Sequence, residues 1–188
     1  MTEVQEDPRT ARTRAKLRQA LLEECAHRPL AEVSVAALAR RAGVGRATFY
    51  LHYPDLEALA VDACADIVRE AVDALHAWRG SPDPSAPPPP LPAFFERLAL
   101  HRDLYRELLR PGGSGPLGHV LHHDLRARSR TERALAGAPE PDLVASAVAA
   151  TFAGVLADWL HGLIDATPAE IAHRVWRLLI NLHRTPLP

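Results

Sequence analysis

Arg46, Thr48, Tyr50 and His52 fall on one short stretch, Gly45 to His52, closed by Pro54-Asp55. On a helix whose apolar positions are Val44, Ala47 and Phe49, these four share the outer surface. A guanidinium, two hydroxyls and an imidazole there are donors for phosphates and base edges. Other residues of chemical interest are weaker. His119, His122 and His123, with His101 before them, suggest metal ligands. Adjacent His122 and His123 point about 100° apart on a helix, however, so at most one joins His119 on a shared face. No third carboxylate or imidazole follows at ligand spacing, so no metal is expected. Cys25 and Cys64 lie in separate helical patterns and read as buried thiols; a redox switch needs an exposed electropositive setting. There is no Gly-rich phosphate loop, no nucleophile elbow and no carboxylate pair at a defended spacing. The expectation is no catalytic residue, no cofactor and no enzyme activity.

The elements around the donor stretch hold it in a particular geometry. Ser34 is a good N-cap, and Val35, Leu38, Ala39 and Ala42 recur at helical spacing after it. Gly43 ends that helix in a conformation a glycine adopts at little cost, and Val44 drops beneath the corner. Two short helices across a glycine turn form a helix-turn-helix, which lays its second helix in the DNA major groove. A first helix, from about Thr10 to His27, puts Leu17, Leu21, Leu22 and Cys25 on one side. Arg12, Arg14, Lys16 and Arg18 crowd its first half, where positive charge opposes the helix dipole and fits better beside an anion. The alternative is a solvated basic face. Net charge is −1, but residues 9–54 carry nine Lys and Arg against three acids, and the remainder thirteen against twenty. A basic end on an acidic body suits a DNA reader with a second, non-DNA domain.

Residues 14–59 resemble the N-terminal domain of TetR-type transcriptional repressors. The family run A-x-x-A-G-V-x-x-x-T-[LF]-Y-x-H-[FY]-x-x-x-E-x-L is matched by Ala39, Ala42, Gly43, Val44, Thr48, Phe49, Tyr50, His52, Tyr53, Glu57 and Leu59. Gly45 replaces the usual Ser cap, Ala47 a usual Gly, and Pro29 stands where Gly is common. Leu56 sits where the family carries a phosphate-binding Lys, a contact leucine cannot make. The resemblance implies DNA contacts from Ser34, Arg46, Ala47, Thr48, Tyr50, His52, Arg14 and Arg40. It also implies a double-stranded operator as partner, and dimerisation through the last two helices.

Beyond the donor stretch, Asp55 can cap a long helix striped by Leu56, Leu59, Ala63, Ile67, Ala71, Leu75 and Trp78 and ending at Gly80. About two dozen residues at roughly 1.5 Å each reach nearly 36 Å, enough to join a head to a body. Residues 80–92 read as an exposed Pro-rich loop, with a proline-recognition ligand as the sharper alternative. Helix resumes at Pro92 and breaks near His101 to Asp103. Pro111-Gly112-Gly113 ends that segment, and Gly115-Pro116 opens another whose arginines form a solvated face. Pro139 to Asp142 opens a helix with apolar residues from Leu143 to Leu163, too wide a set for one partner. Thr167-Pro168-Ala169-Glu170 is a capping box before a last helix. With Ala149, Ala150, Ala153, Gly154 and Ala157 permitting close approach, this pair could meet its own copy, through Val155, Trp159, Val175, Leu178 and Leu179. An effector pocket is expected to use Trp78, Phe94, Tyr105 and Trp159, with His101 or His122 as polar contact.

Together these elements make an all-α chain of about nine helices. A helix-turn-helix head spans residues 1–54, and an effector-binding and dimerisation body spans residues 55–188. With 47% hydrophobic residues the chain is globular, and no run reaches the roughly 18 apolar residues of a membrane span. A cytoplasmic homodimer away from membranes is the expectation. The favoured function is a repressor released from a palindromic operator by a small, largely apolar effector. The alternative is a helical enzyme or small-molecule carrier in which the helix-turn-helix only packs.

Overall fold

The computed structural model describes residues 7–78, 80, 83 and 85–184, with side chains up to Asn181. These residues form nine α-helices and no β-strand: α1 (Pro8–Cys25), α2 (Val35–Ala42), α3 (Arg46–His52), α4 (Leu56–Ala77), α5 (Pro90–Leu100), α6 (Arg102–Leu108), α7 (Pro116–Leu135), α8 (Pro141–Leu160) and α9 (Pro168–Arg184). Single 3₁₀ turns lie at Leu30–Glu32 and Pro111–Gly113. The chain divides into two compact units between Cys64 and Ala65, inside α4.

Helix boundaries follow local chemistry. Ser34 Oγ accepts the Ala37 N–H at 3.2 Å, and Gly43 ends α2 at φ 67°. Asp55 caps α4 through the Ala58 N–H at 2.7 Å. In the α9 capping box the Glu170 N–H reaches Thr167 Oγ1 at 3.3 Å while the Thr167 N–H reaches Glu170 Oε2 at 2.8 Å. Three boundaries differ from the sequence reading. α1 starts at Pro8, because Asp7 caps it and a proline is tolerated in the first turn. α4 stops at Ala77, before Gly80. The Pro-rich stretch turns helical at Pro90 instead of Pro92, since a proline at a helix start loses no hydrogen bond.

In the N-terminal unit, Leu17, Leu21, Leu38, Phe49, Leu59 and Ala60 are fully buried. Two ion-pair clusters fasten the helices around them. Glu24, buried on α1, pairs with Arg28 just beyond its own helix and with Arg41 of α2. Asp62 of α4 accepts the Tyr53 hydroxyl at 2.6 Å and the guanidinium groups of Arg14 and Arg18, each at 3.2 Å. Burial pushes both carboxyls up. For Asp62 the Tyr53 and Arg18 hydrogen bonds and the arginine charges outweigh it, for Glu24 the arginine contacts do, and both sit below the ordinary carboxylate range.

In the C-terminal unit, α8 packs on α7, α9, α6 and the Pro111–Gly113 turn, and α5 on α9. By length and composition α8 could cross a membrane, yet here Ala145, Ala149, Ala153, Leu156, Ala157, Trp159 and Leu160 are buried in the unit. The small residues read as a seam for a second copy are thus largely used within the chain. A Cβ at Gly113, whose φ is +79°, would lie 2.9 Å from the backbone of Ala153 and Gly154. Close approach of that turn is what Gly113 itself permits, against the small Ala153; a Cβ at Gly154 would meet nothing within 4 Å.

These contacts can be tested by substitution. Gly113→Ala adds a backbone clash to left-handed strain and is expected to cost about 1–3 kcal/mol in urea unfolding. Gly112→Ala, at φ +74° with open space around it, is expected to cost clearly less; equal costs would contradict the packing. Asp62→Asn should destabilise the N-terminal unit by about 1–3 kcal/mol at pH 7. Because the folded carboxyl titrates below its unfolded value, its contribution is complete above the ordinary carboxylate range and fades as pH falls through the folded value. The unfolding curves of the wild type and of the Asp62→Asn variant should therefore converge on acidification.

Candidate nucleic-acid interface and ligand cavity

α3 has seven residues, and Phe49 decides which way they face. Its ring has no solvent exposure and meets Tyr50 edge-on at 5.2 Å and Tyr53 at 6.1 Å. Arg46, Ala47, Tyr50 and Leu51 are then exposed, with Thr48 and His52 half-buried beside them. Ala47, counted as an inward position, faces out. The Arg46 guanidinium lies 5.8 Å from the centre of the Tyr50 ring, a cation–π arrangement that orders both donors. Arg40 is exposed on α2, and Ser34, exposed at the start of α2, keeps its hydroxyl proton for an outside acceptor while its oxygen caps the helix. Leu56 is half-buried at the first turn of α4.

Two side chains depart from the sequence reading. Arg14, expected at the DNA backbone, donates to the Tyr53 hydroxyl at 3.2 Å and pairs with Asp62. Its charge is met inside the fold by a half-buried carboxylate, so it orders the head from within. Leu51, assigned no role from sequence, is 83% exposed. Its place four residues after Ala47 was the available signal, since both then lie on one helix face.

The C-terminal unit holds a cavity of about 500 Å³. Trp78 and Phe94 line it, together with Leu75, Val148, Phe152 and Trp176. The other four expected pocket residues do not line it. Tyr105 is fully buried core. Trp159 is 1% exposed, donates its Nε1–H to the Ala166 carbonyl at 2.9 Å, and is held between Phe95 and Arg102, with the Phe95 ring centre at 5.3 Å and the guanidinium at 5.2 Å. His101 sits at the break between α5 and α6, where burial and the Arg97 charge lower its pKa. His122 is half-buried on α7 away from the cavity. Trp159 and Val175 are also unable to meet a second copy, being buried in this one. Leu179 lines the cavity, which leaves the half-buried Val155 and Leu178, 37% exposed, with surface to offer. No group of three or more His, Cys, Asp or Glu capable of holding a metal occurs among the described residues.

Residues 17–63 match the family model described as bacterial regulatory proteins, tetR family. No curated protein matches the chain. Among solved structures, a TetR transcriptional regulator from Rhodococcus sp. RHA1 is 20% identical, with TM-score 0.59 over 93% of this chain and 97% of that one. The multidrug binding protein EbrR, complexed with imidazole, is 23% identical, with TM-score 0.54 over 93% and 96%. The fatty acid degradation regulator FadR from Bacillus halodurans is 17% identical, with TM-score 0.52 over 97% and 100%. Residues 17–63 thus carry the tetR-family helix-turn-helix segment, and the chain as a whole takes the fold of these solved structures.

Proposed function

We propose that the protein is a cytoplasmic homodimeric repressor that holds a palindromic operator through α3 and releases it when a small, largely apolar molecule fills the cavity. The observation that carries this reading is the exposed face of α3, where Arg46 and Tyr50 stand together with Thr48 and His52 beside them. One such short helix reads too few bases for useful specificity, so two copies are required. Leu143, Ala147, Val155 and Leu178 keep apolar surface on α8 and α9 for that pairing. The effector part rests on the cavity, and on the neighbour EbrR being a multidrug binding protein complexed with imidazole. α4 supplies Asp62 to the head network and Val68, Ala71, Val72 and Leu75 to the cavity wall, so a ligand that favours one setting of α4 acts on an element the head also uses.

Duplex binding measured by fluorescence anisotropy at several salt concentrations tests the DNA reading. Affinity should fall steeply with salt as counterions are released. Arg46→Ala, Tyr50→Phe and His52→Ala should each weaken binding by about 1–2 kcal/mol. Leu56→Lys should restore a phosphate contact and steepen the log–log salt slope by about two units across a dimer, with base preference unchanged. Salt-insensitive binding, or indifference to all three α3 variants, would assign the helix-turn-helix to packing alone. Light scattering should show a dimer that Val155→Arg with Leu178→Arg breaks; a wild-type monomer at micromolar concentration would contradict the dimer.

A further inference from the structure

We infer that the body cavity takes an uncharged, flat aromatic molecule, and that charged analogues are refused because every charge on its rim is already paired. The inference rests on the ligand-controlled reading above and names its ligand class. The walls supply rings in two settings. Trp78, just beyond α4, meets Trp176 of α9 edge to face, centres 6.4 Å apart at 89°. Phe94 of α5 and Phe152 of α8 lie nearly parallel, 6.1 Å apart at 29°. Faces and edges offered together suit a planar guest, which can stack on one ring and take the edge of another. The Pro-rich segment contributes to this wall: Pro88 lines the cavity, and the Asp83 carbonyl accepts the Trp176 indole N–H at 2.7 Å, fixing that ring.

The ionisable lining residues are His76, Arg128 and Glu132. Glu132 accepts from His76 Nε2 at 2.7 Å and from Arg128 Nε at 3.3 Å, and Arg128 pairs through its other arm with Asp73. His76 Nδ1 faces the Val72 carbonyl at 2.6 Å, so the ring has an acceptor at each nitrogen. Two acids and two bases therefore satisfy one another. An anionic guest finds both bases engaged and the Glu132 carboxylate beside it. A cationic guest meets a Glu132 carboxylate already shared by two donors, with the Arg128 guanidinium beside it. Either must bury its own charge against apolar walls with no free partner at the rim, which is costly, whereas a neutral guest breaks nothing. The Ser129 hydroxyl, also on the lining, offers an uncharged polar contact.

Two matched probe pairs test this on the full-length protein, read by energy transfer from tryptophan. One is neutral N-phenyl-1-naphthylamine against its sulfonated counterpart 8-anilino-1-naphthalenesulfonate; the other is diphenylhexatriene against its trimethylammonium derivative. Only binding lost in Val148→Trp, which fills the cavity, is counted, with Ala71→Trp as the substitute if that variant does not fold. Each neutral probe should bind about tenfold or more tightly than its charged twin. Glu132→Gln, a change on a half-exposed rim side chain, should release Arg128 and His76 and narrow the naphthyl ratio to about threefold or less. Charged twins that bind as well as neutral ones, or a ratio unmoved by Glu132→Gln, would overturn the inference and leave a ligand-binding cavity standing. Cavity-dependent binding of none of the four would overturn both.

Discussion

The burial of Phe49 is the interaction on which the exposed face of α3 depends. A helix of seven residues has no stability of its own, since isolated helices shorter than about 12–15 residues are marginal in water. Its formation must be driven by packing. Fully burying a phenylalanine contributes roughly 1.5–3 kcal/mol, and the same burial sets the helix's rotation. With Phe49 inward, Arg46, Ala47, Tyr50 and Leu51 have no choice but to face out. Asp62 then fixes where the helix ends. By holding the Tyr53 hydroxyl together with Arg14 and Arg18, it ties the residue after α3 to both α1 and α4. A basic side chain that looks like a nucleic-acid contact can thus serve inside the fold, fixing where α3 ends.

The body solves a different problem, which is to stay folded around space. α8 does this by using its faces unequally. Beside Ala153 the Pro111–Gly113 turn approaches to backbone distance because Gly113 carries no side chain, while Val148 and Phe152 line the cavity and Trp159 anchors the core. Arg102 adds to that anchor by donating to the Trp159 and Leu160 carbonyls at 2.6 and 2.9 Å, satisfying groups a helix end leaves open. An apolar cavity forfeits contacts that a filled core would make. Its retention beside so many packed aromatic rings makes physical sense when a guest supplies those contacts.

The head was legible in the sequence because its signals are local. A cap at Ser34, a left-handed glycine at Gly43 and a buried ring at Phe49 act within a few residues of one another, and each is where helical spacing puts it. The same holds for the capping box at Thr167. What failed depended on contacts between distant segments. Helical periodicity marks Trp78, Tyr105 and Trp159 alike as apolar; only the packing of α5, α6 and α8 decides that the first borders space and the other two do not. Trp176 and the joining of His76 to the Arg128–Glu132 pair escaped notice for the same reason, since Asp83 and Glu132, their partners, are tens of residues away. Arg14 could not be told from a surface cation without knowing that Asp62 folds back onto it.

Whether this chain reads DNA through α3 is tested most directly by sequence selection. Full-length protein would be cycled against a pool of random duplexes and the retained sequences compared with those retained by a variant carrying Arg46→Ala and Tyr50→Phe. If α3 reads the bases, the pool becomes enriched in a two-fold symmetric site, with half-sites about one helical turn or more apart, and the variant loses that enrichment. A pool that stays random, or the same motif recovered with both proteins, would contradict it.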